Sequence, residues 1–389
     1  LYGYEHIQTP SFEYADIFNE DRGSVGAQEM FKFFDRDNNM LVLRPDMTPA
    51  VARCVAKYFM DDDMPLRLCY LERTFKNNTS YQGYLKERAE SGAELIGDDS
   101  PDADAEMIAM VIDCLKAAGL KEFQVELGEV AFYRSLLQQS GLDEDAQAQL
   151  NDLIENKNRF GVEEFLKNQD MEESLKEAFL KLPELFGGIN QIKKAKALTD
   201  NPQALAAIER LERVHTLLEE YHMADYVSYD LGMLSRYQYY TGIIFKAYTY
   251  GTGDYIVTGG RYNKLLVQFG KDTPAVGFAI VVDQLMAALS RQQIHIPVQL
   301  VNTVILYEPS ARQSAVRLSR FFRSEGTPVQ SMVMEEGKSL EDYKGMAKKR
   351  GLRTILCLKD TGNTVTAFDM LTGNVDETPV SAYGVREIL

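Results

Sequence analysis

The fold is decided by three short runs in the second half of the chain: YYTGIIF at residues 239–245, YIVTGGRY at residues 255–262 and AVGFAIVVDQL at residues 275–285. Each run combines β-branched or aromatic residues with glycine, a pattern typical of β-strands and their turns. From residue 282 to residue 290 the apolar residues take helical spacing, so the last strand is predicted to lead into a helix. This part of the chain is therefore predicted to be rich in strands.

Outward from these runs the pattern changes twice. Residues 1–130 also mix short β-rich runs with turns and helices, whereas residues 131–220 place Leu, Glu, Lys and Ala at spacings of three and four, which predicts an all-helical insertion. Over residues 302–389 strand-like and helix-like runs alternate, which is typical of a largely parallel sheet covered by helices. The 389 residues are therefore predicted to form a core over residues 1–300, which contains the insertion, and a separate α/β domain over residues 302–389.

The composition fits a soluble globular protein, with 45% hydrophobic and 26% charged residues, and it excludes disorder, collagen and coiled coil. Acids outnumber bases by 58 to 42, and because residues 302–389 carry 12 bases and 11 acids, the acidic excess lies in the core. Nucleic-acid-binding proteins usually carry a basic footprint, so no nucleic acid is expected as a partner. No apolar run approaches the ~18 residues of a membrane-spanning helix, so no membrane is expected either.

The cysteines are scattered along the chain. Cys54, Cys69, Cys114 and Cys357 form no CxxC pair, and the histidines show no ligand spacing with them, so no structural zinc site and no other metal site is expected. No cofactor is expected either. Reduced cysteines in apolar surroundings are typical of a cytoplasmic protein. Because the chain begins at Leu1 rather than at methionine, we expect further residues upstream.

Four segments, taken in order, carry a family resemblance. They are GYEHIQTP at residues 3–10, LRPDMTP at 43–49, SGAELIG at 91–97 and the three runs between residues 239 and 285. Together they resemble the class II aminoacyl-tRNA synthetases, specifically the histidyl-tRNA synthetase branch. The resemblance implies an α+β fold in which an antiparallel sheet core carries the helical insertion. The C-terminal unit resembles the α/β anticodon-binding domain of that synthetase.

The chain departs from the synthetase at four positions where that family has catalytic residues. Lys76 and Asn78 replace the arginine and the glutamate of motif 2. Ser235 replaces the arginine that precedes the paired tyrosines, and Gln284 replaces the arginine that ends motif 3. Adenylation builds charge on the α-phosphate, and removing one preorganised donor typically costs about 10²–10³ in rate, so this chain is expected not to be an enzyme.

A synthetase-shaped protein without the synthetase reaction suggests a paralogue. The segments DMTP at 46–49, DLGMLS at 230–235 and YYTGIIF at 239–245 resemble the regulatory subunits of ATP phosphoribosyltransferase. That family implies a non-catalytic partner of the short-form catalytic subunit, which performs the first step of histidine biosynthesis. It also implies a hetero-oligomer inhibited by histidine, with self-dimerisation through the class II core. Two alternatives stay open: a divergent histidyl-tRNA synthetase that still exchanges pyrophosphate with ATP, and a stand-alone histidine-binding module.

The resemblance further implies a histidine pocket. The residues at the positions where the synthetase holds its histidine are Asp46, Thr48, Glu90, Glu94, Tyr239, Tyr240 and Tyr262. Carboxylates can pair with an ammonium group or an imidazole N–H, and tyrosines can supply walls and hydroxyl donors. The alternatives are that these residues are kept only for the fold, or that histidine binds at the interface with the catalytic subunit.

Overall fold

The computed structural model describes residues 2–18, 25–59, 61–78, 85–234, 237–296, 302–360 and 362–383. The chain forms two compact units, Leu1–His295 and Ile296–Leu389. Each unit has its own sheet and its own hydrophobic core.

The first unit contains both strands and α-helices. Its described strands are β1 Glu5–His6, β2 Phe12–Tyr14, β3 Lys32–Phe34, β4 Met40–Leu43, β5 Leu66–Phe75, β6 Glu87–Ile96, β7 Phe123–Glu129, β8 Phe186–Gly187, β9 Val227–Asp230, β10 Ile243–Thr249, β11 Val257–Arg261 and β12 Ala275–Val281. Its described α-helices are α1 Thr48–Tyr58, α2 Pro101–Ala117, α3 Val130–Ser140, α4 Glu144–Glu155, α5 Arg159–Lys167, α6 Glu173–Lys181, α7 Asn190–Lys196, α8 Pro202–Glu220 and α9 Val282–Arg291.

Nine of these strands form one sheet in the order β1-β5-β6-β12-β11-β10-β7-β9-β8. The six consecutive strands from β5 to β7 are antiparallel to one another, whereas β1 and β9 run parallel to β5 and β7. The antiparallel core implied by the resemblance is therefore confirmed. A separate three-stranded sheet, β2-β4-β3, contains the hairpin that joins β3 to β4.

Helix α2 covers the sheet with a largely apolar surface. Ser100 is its N-cap, with the Ser100 Oγ accepting a hydrogen bond from the Ala103 N–H at 3.1 Å, and Pro101 occupies the first turn. The buried side chains of α2 include Met107, Ile108 and Val111. Burial of these side chains on the sheet supplies most of the stability of such a helix.

The insertion differs from the predicted all-helical structure in one respect. Helices α3 to α8 account for most of it, but Phe186–Gly187 forms the short strand β8, which pairs antiparallel with β9. The prediction of a purely helical insertion is therefore wrong at this point. A two-residue strand is too short to show the alternation of apolar and polar residues that identifies longer strands.

The second unit is a five-stranded α/β domain. Its described strands are β13 Thr303–Tyr307, β14 Val329–Val333, β15 Thr354–Leu358, β16 Thr364–Asp369 and β17 Val375–Pro379, and its described α-helices are α10 Arg312–Ser324 and α11 Leu340–Lys349. The sheet order is β14-β13-β15-β16-β17, with the first three strands parallel and the last two antiparallel. Alternate residues of β13 serve different cores: Ile305 packs with Leu318 of α10, whereas Val304 packs with Tyr343 of α11.

Candidate functional site

A small polar cavity lies over the glycine-rich strands of the large sheet. Besides β11 and β12 with their flanking residues, four described parts of the chain line it: the junction of β4 with α1, the end of β5, the start of β6 and the residues before β10. Its lining residues are Pro45, Asp46, Thr48, Lys76, Arg88, Glu90, Tyr237, Tyr239, Tyr240, Tyr255, Thr258, Tyr262, Gly277, Phe278, Ala279 and Val281. Six of the seven residues predicted for a histidine pocket are among them, and the seventh, Glu94, lies directly behind the lining.

Arg44 holds the junction before α1 in place. This buried arginine donates from Nε to the Arg73 carbonyl at 2.8 Å and from Nη1 to the Thr9 carbonyl at 2.6 Å, which fastens the junction to β5 and to the segment before β2. Asp46 follows two residues later, and its Oδ1 accepts a hydrogen bond from the Thr48 N–H at 3.1 Å. The carboxylate of Asp46 is therefore set by the backbone around the first turn of α1.

One hydrogen-bond network joins five of the predicted residues. The Tyr239 hydroxyl donates to Asp46 Oδ2 at 2.8 Å. The two oxygens of Glu94 accept from the Tyr262 hydroxyl at 2.5 Å and from the Thr48 hydroxyl at 3.1 Å. Residues that are distant in sequence are thus brought together over the central strands of the sheet. Glu90 and Tyr240 complete the wall, and the rings of Tyr239 and Tyr240 lie 4.8 Å apart.

Glycine is required at one position for Glu94 to reach its partners. Gly277 on β12 lies directly opposite Glu94 on β6. A Cβ atom at Gly277 would lie 1.6 Å from Glu94 Oε2, which is far inside van der Waals contact. The carboxylate therefore extends across the neighbouring strand through the space that the missing side chain leaves free.

The site is rich in buried acidic side chains. Burial raises the pKa of Glu94 to about 8, and burial also raises the pKa values of Asp46 and Glu90. For Asp46 and Glu90 the charge of Lys76 acts in the opposite direction, since it favours the ionised carboxylates. Lys76 and Arg88 are the cations that the described lining sets against three buried carboxyl groups, so the carboxyl groups still outnumber them and the site is suited to a further cation.

Lys76 and Tyr237 occupy the remaining space. The Lys76 Nζ donates to the Tyr237 hydroxyl at 2.6 Å, and the Tyr237 ring stacks on Tyr239 with centroids 5.3 Å apart and planes 15° apart. The cavity that remains has a volume of about 20 Å³, which is room for a single water molecule. Tyr237, Arg88 and Tyr255 line the cavity but were not predicted from the sequence. The only available signal for Tyr237 was its place in a cluster with Tyr239 and Tyr240.

The four positions at which the synthetase residues are replaced do not all reach the cavity. Lys76 lines it, whereas Asn78 and Gln284 are absent from the lining among the described residues. Asn78 lies two residues beyond Lys76 and donates its N–H to the Lys76 carbonyl at 2.9 Å. Gln284 is half-buried in the first turn of α9. Ser235 lies outside the described residues.

A second group of buried charges lies on the opposite face of the sheet. Arg261 alternates with Gly260 along β11 and is only 2% exposed. The Arg261 Nε and the Arg210 Nε each donate to a carboxylate oxygen of the fully buried Asp104 at 2.8 Å. Burial raises the pKa of Asp104, and the two guanidinium groups act against this rise. This cluster joins β11 to α2 and α8, so Arg261 has a structural role.

Two further findings concern metals and membranes. Across the described ranges, no group of three or more histidine, cysteine, aspartate or glutamate side chains is arranged to hold a metal ion. Among the helices that the structure describes, none is both long enough and apolar enough to cross a membrane.

The fold and the cavity define a protein of the class II synthetase type, and a family model described as histidyl-tRNA synthetase matches residues 1–285. An ATP phosphoribosyltransferase regulatory subunit from Acetivibrio thermocellus is 35% identical over 97% of this chain and 90% of its own length. The regulatory subunit from Clostridium acetobutylicum is 40% identical over 74% of this chain and 71% of its own length. The chain belongs to the ATP phosphoribosyltransferase regulatory subunit family.

Solved structures agree with this assignment. An ATP phosphoribosyltransferase regulatory subunit/histidyl-tRNA synthetase from Bacillus halodurans has a TM-score of 0.79 at 32% identity, and the match covers 89% of this chain and 88% of that chain. Histidyl-tRNA synthetase from Nostoc sp. PCC 7120 has a TM-score of 0.78 at 18% identity, which shows the shared fold alone; that match covers 98% and 91% of the two chains. The predicted family and fold are confirmed, and with them a regulatory role in histidine biosynthesis.

Proposed function

We propose that this chain is the non-catalytic subunit that activates short-form ATP phosphoribosyltransferase and makes it sensitive to histidine. The proposal is carried by one observation, the buried hydrogen-bond network of Asp46, Thr48, Glu94, Tyr239 and Tyr262, whose groups suit an amino acid. Beside this network lies Lys76, where the synthetase has an arginine. The names of the relatives support the catalytic subunit as partner. We propose that the protein acts in the cytoplasm, because its four cysteines are free and thiols stay reduced in that compartment.

Under this proposal the chain does not catalyse the synthetase reaction. Stabilising charge on an α-phosphate requires rigid donors, and a lysine cannot reproduce the planar fork of an arginine. Lys76 is moreover bonded to Tyr237, and Gln284 carries no charge. The purified chain should therefore show no exchange of pyrophosphate into ATP in the presence of histidine. Clear exchange would instead support a divergent synthetase.

Histidine is the proposed effector of the cavity. Its ammonium group or its imidazole N–H groups would pair with the carboxylates of Asp46 and Glu90, and Glu94 would act from behind through Thr48 and Tyr262. The rings of Tyr239, Tyr240 and Tyr262 would form the walls. This arrangement neutralises carboxyl groups whose burial would otherwise oppose their ionisation.

A self-dimer is proposed through the small sheet β2-β4-β3. Phe12, Tyr14 and Phe33 share one face of it by their register with β4, and they are 51%, 56% and 38% exposed. The rings of Phe12 and Phe33 meet edge to face at 5.9 Å. An exposed aromatic face of this kind is typical of an interface. Phe12→Glu should convert the dimer into a monomer in sedimentation velocity, whereas Tyr250→Glu, at a position outside the small sheet that is 76% exposed, should leave the dimer intact.

The main experiment mixes the purified chain with the short-form catalytic subunit. We expect a stable complex, a rise in phosphoribosyltransferase activity, and inhibition of that activity by added histidine. If no complex forms and no activation follows, the proposed function is wrong. Strong binding of histidine by the isolated chain without any effect on the catalytic subunit would instead favour a stand-alone binding module.

A further inference from the structure

The cavity has the chemistry of an amino-acid site but lacks the space for an amino acid. Its walls carry the carboxylates of Asp46 and Glu90 and the hydroxyl of Tyr262, yet its volume of about 20 Å³ holds one water molecule. A free amino acid is several times larger than water. Any such ligand therefore requires part of the wall to move.

The part of the wall best able to move is the contact between Lys76 and Tyr237. Lys76 follows the last residue of β5, and Tyr237 precedes β10, so the 2.6 Å hydrogen bond between them joins two separate elements. Both side chains are half-buried, in contrast to the buried Tyr239, Tyr240 and Tyr262 behind them. The Tyr237 ring also packs against the hydrophobic core, so rotation of the Lys76 side chain toward solvent is the movement that opens this contact and leaves the buried network in place.

The ammonium group of Lys76 also takes the electrostatic role of a ligand. Its charge favours the ionised forms of Asp46 and Glu90, which is what the ammonium group of a bound amino acid would do. Tyr237 covers the Tyr239 ring, whose hydroxyl bonds Asp46. Lys76 and Tyr237 together thus satisfy the same groups that a ligand would need.

We propose that Lys76 and Tyr237 form a latch that fills the effector cavity, and that an amino-acid effector binds only after the Lys76–Tyr237 hydrogen bond has opened. The latch rests on the proposed histidine site in this cavity. In this latch, the ammonium group of Lys76 competes with the ammonium group of the effector for the same carboxylates. The apparent affinity is then lowered in proportion to the fraction of molecules whose latch is open.

The test is calorimetric titration of L-histidine into the full chain, alone and with the catalytic subunit. Tyr237→Phe removes the hydroxyl that Lys76 binds and keeps the ring. Because a hydrogen bond to a charged group contributes roughly 10- to 100-fold to an equilibrium, this variant should bind histidine at least ~10-fold more tightly. Tyr237→Leu, which also enlarges the cavity, should bind no less tightly than Tyr237→Phe. The matched control is Tyr250→Phe at an exposed position, which should leave the affinity unchanged.

The outcomes separate the latch from the site itself. Equal affinities for the unaltered chain and both Tyr237 variants, with binding lost in Glu94→Gln, would overturn the latch and leave the histidine site standing. No binding by any of these proteins, with or without the catalytic subunit, would overturn the histidine site and the latch with it. Tighter binding by both Tyr237 variants that is lost when Glu94→Gln is added supports the latch.

Discussion

Asp104→Asn is expected to destabilise the first unit, because the two arginines that share Asp104 would lose their common counterion. The side chain is fully buried in α2 and accepts a hydrogen bond from Arg261 on one oxygen and from Arg210 on the other, each at 2.8 Å. Asparagine has nearly the same shape, so the substitution removes the charge without creating a cavity. It leaves the 2% exposed Arg261 without its buried counterion.

The expected loss follows from these contacts. Removing one partner of a buried ion pair costs about 3–5 kcal/mol, because the remaining charge stays buried. Arg210 is partly exposed and keeps its bonds to the carbonyls of Asp99 and Ser100, and Arg261 keeps an ion pair with the exposed Asp99 at 3.2 Å. These remaining contacts place the expected loss at the lower end, about 3 kcal/mol in the free energy of unfolding.

The assay is urea unfolding at neutral pH, followed by far-ultraviolet circular dichroism because the chain has no tryptophan. The midpoint of the transition of the first unit should fall with little change in its slope. Asp102→Asn is the matched control, since Asp102 lies in the same first turn but is exposed, and it should cost under ~1 kcal/mol. Equal losses for the two variants would refute the assignment of a buried charge cluster.

Three further predictions concern buried carboxyl groups and the cavity. Burial raises the pKa of Glu129 to about 8, so its ionisation reduces stability as the pH rises from about 4.5 to 8; Glu129→Gln should therefore stabilise the chain more at pH 8 than at pH 6 in urea unfolding, and an equal effect at both pH values would contradict this. Gly277→Ala should displace Glu94 and weaken histidine binding at least ~10-fold in calorimetry, whereas Gly253→Ala, which has open space around its Cβ position, should bind normally. An ammonium group bound by Asp46 and Glu90 should also favour the ionised form of Glu94 behind them, so histidine binding at pH 7 should release protons from Glu94, seen as binding heats that depend on the buffer; heats independent of the buffer would rule this out.

The strands and helices of the core could largely be predicted, because their local patterns agree with their final environment. The run at residues 239–245 predicts a strand; the prediction is confirmed from Ile243, where β10 begins, and is wrong for residues 239–242, which precede the strand. The helical spacing after residue 282 corresponds to α9. The strand β8 could not be predicted, because its two residues form a strand only through pairing with β9. Pairing partners distant in sequence leave no local signal.

The residues of the site also divide into those that the sequence could suggest and those that it could not. Asp46, Glu94 and Tyr262 could be proposed together only through the family resemblance, since no spacing in the sequence brings them close. Tyr237 was missed although it lies in the segment that ends in the paired tyrosines, because the resemblance gives it no role there, and Arg88 belongs to none of the matched segments; their positions in the cavity wall depend on how the chain closes around it. The small volume of the cavity was likewise not predictable, because it results from the contact between two side chains from different elements.

The crossing of Glu94 over Gly277 has a consequence for evolution within the family. A carboxylate that occupies the space of a missing side chain ties the two positions to each other, since any side chain at position 277 excludes the observed placement of Glu94. Relatives that keep this pocket should therefore keep glycine opposite an acidic residue. Relatives in which the acidic residue has become small are free to lose the glycine. Substitutions at the two positions should thus be correlated across the family, and a pair that has changed together marks a lineage that has abandoned this arrangement of the carboxylate.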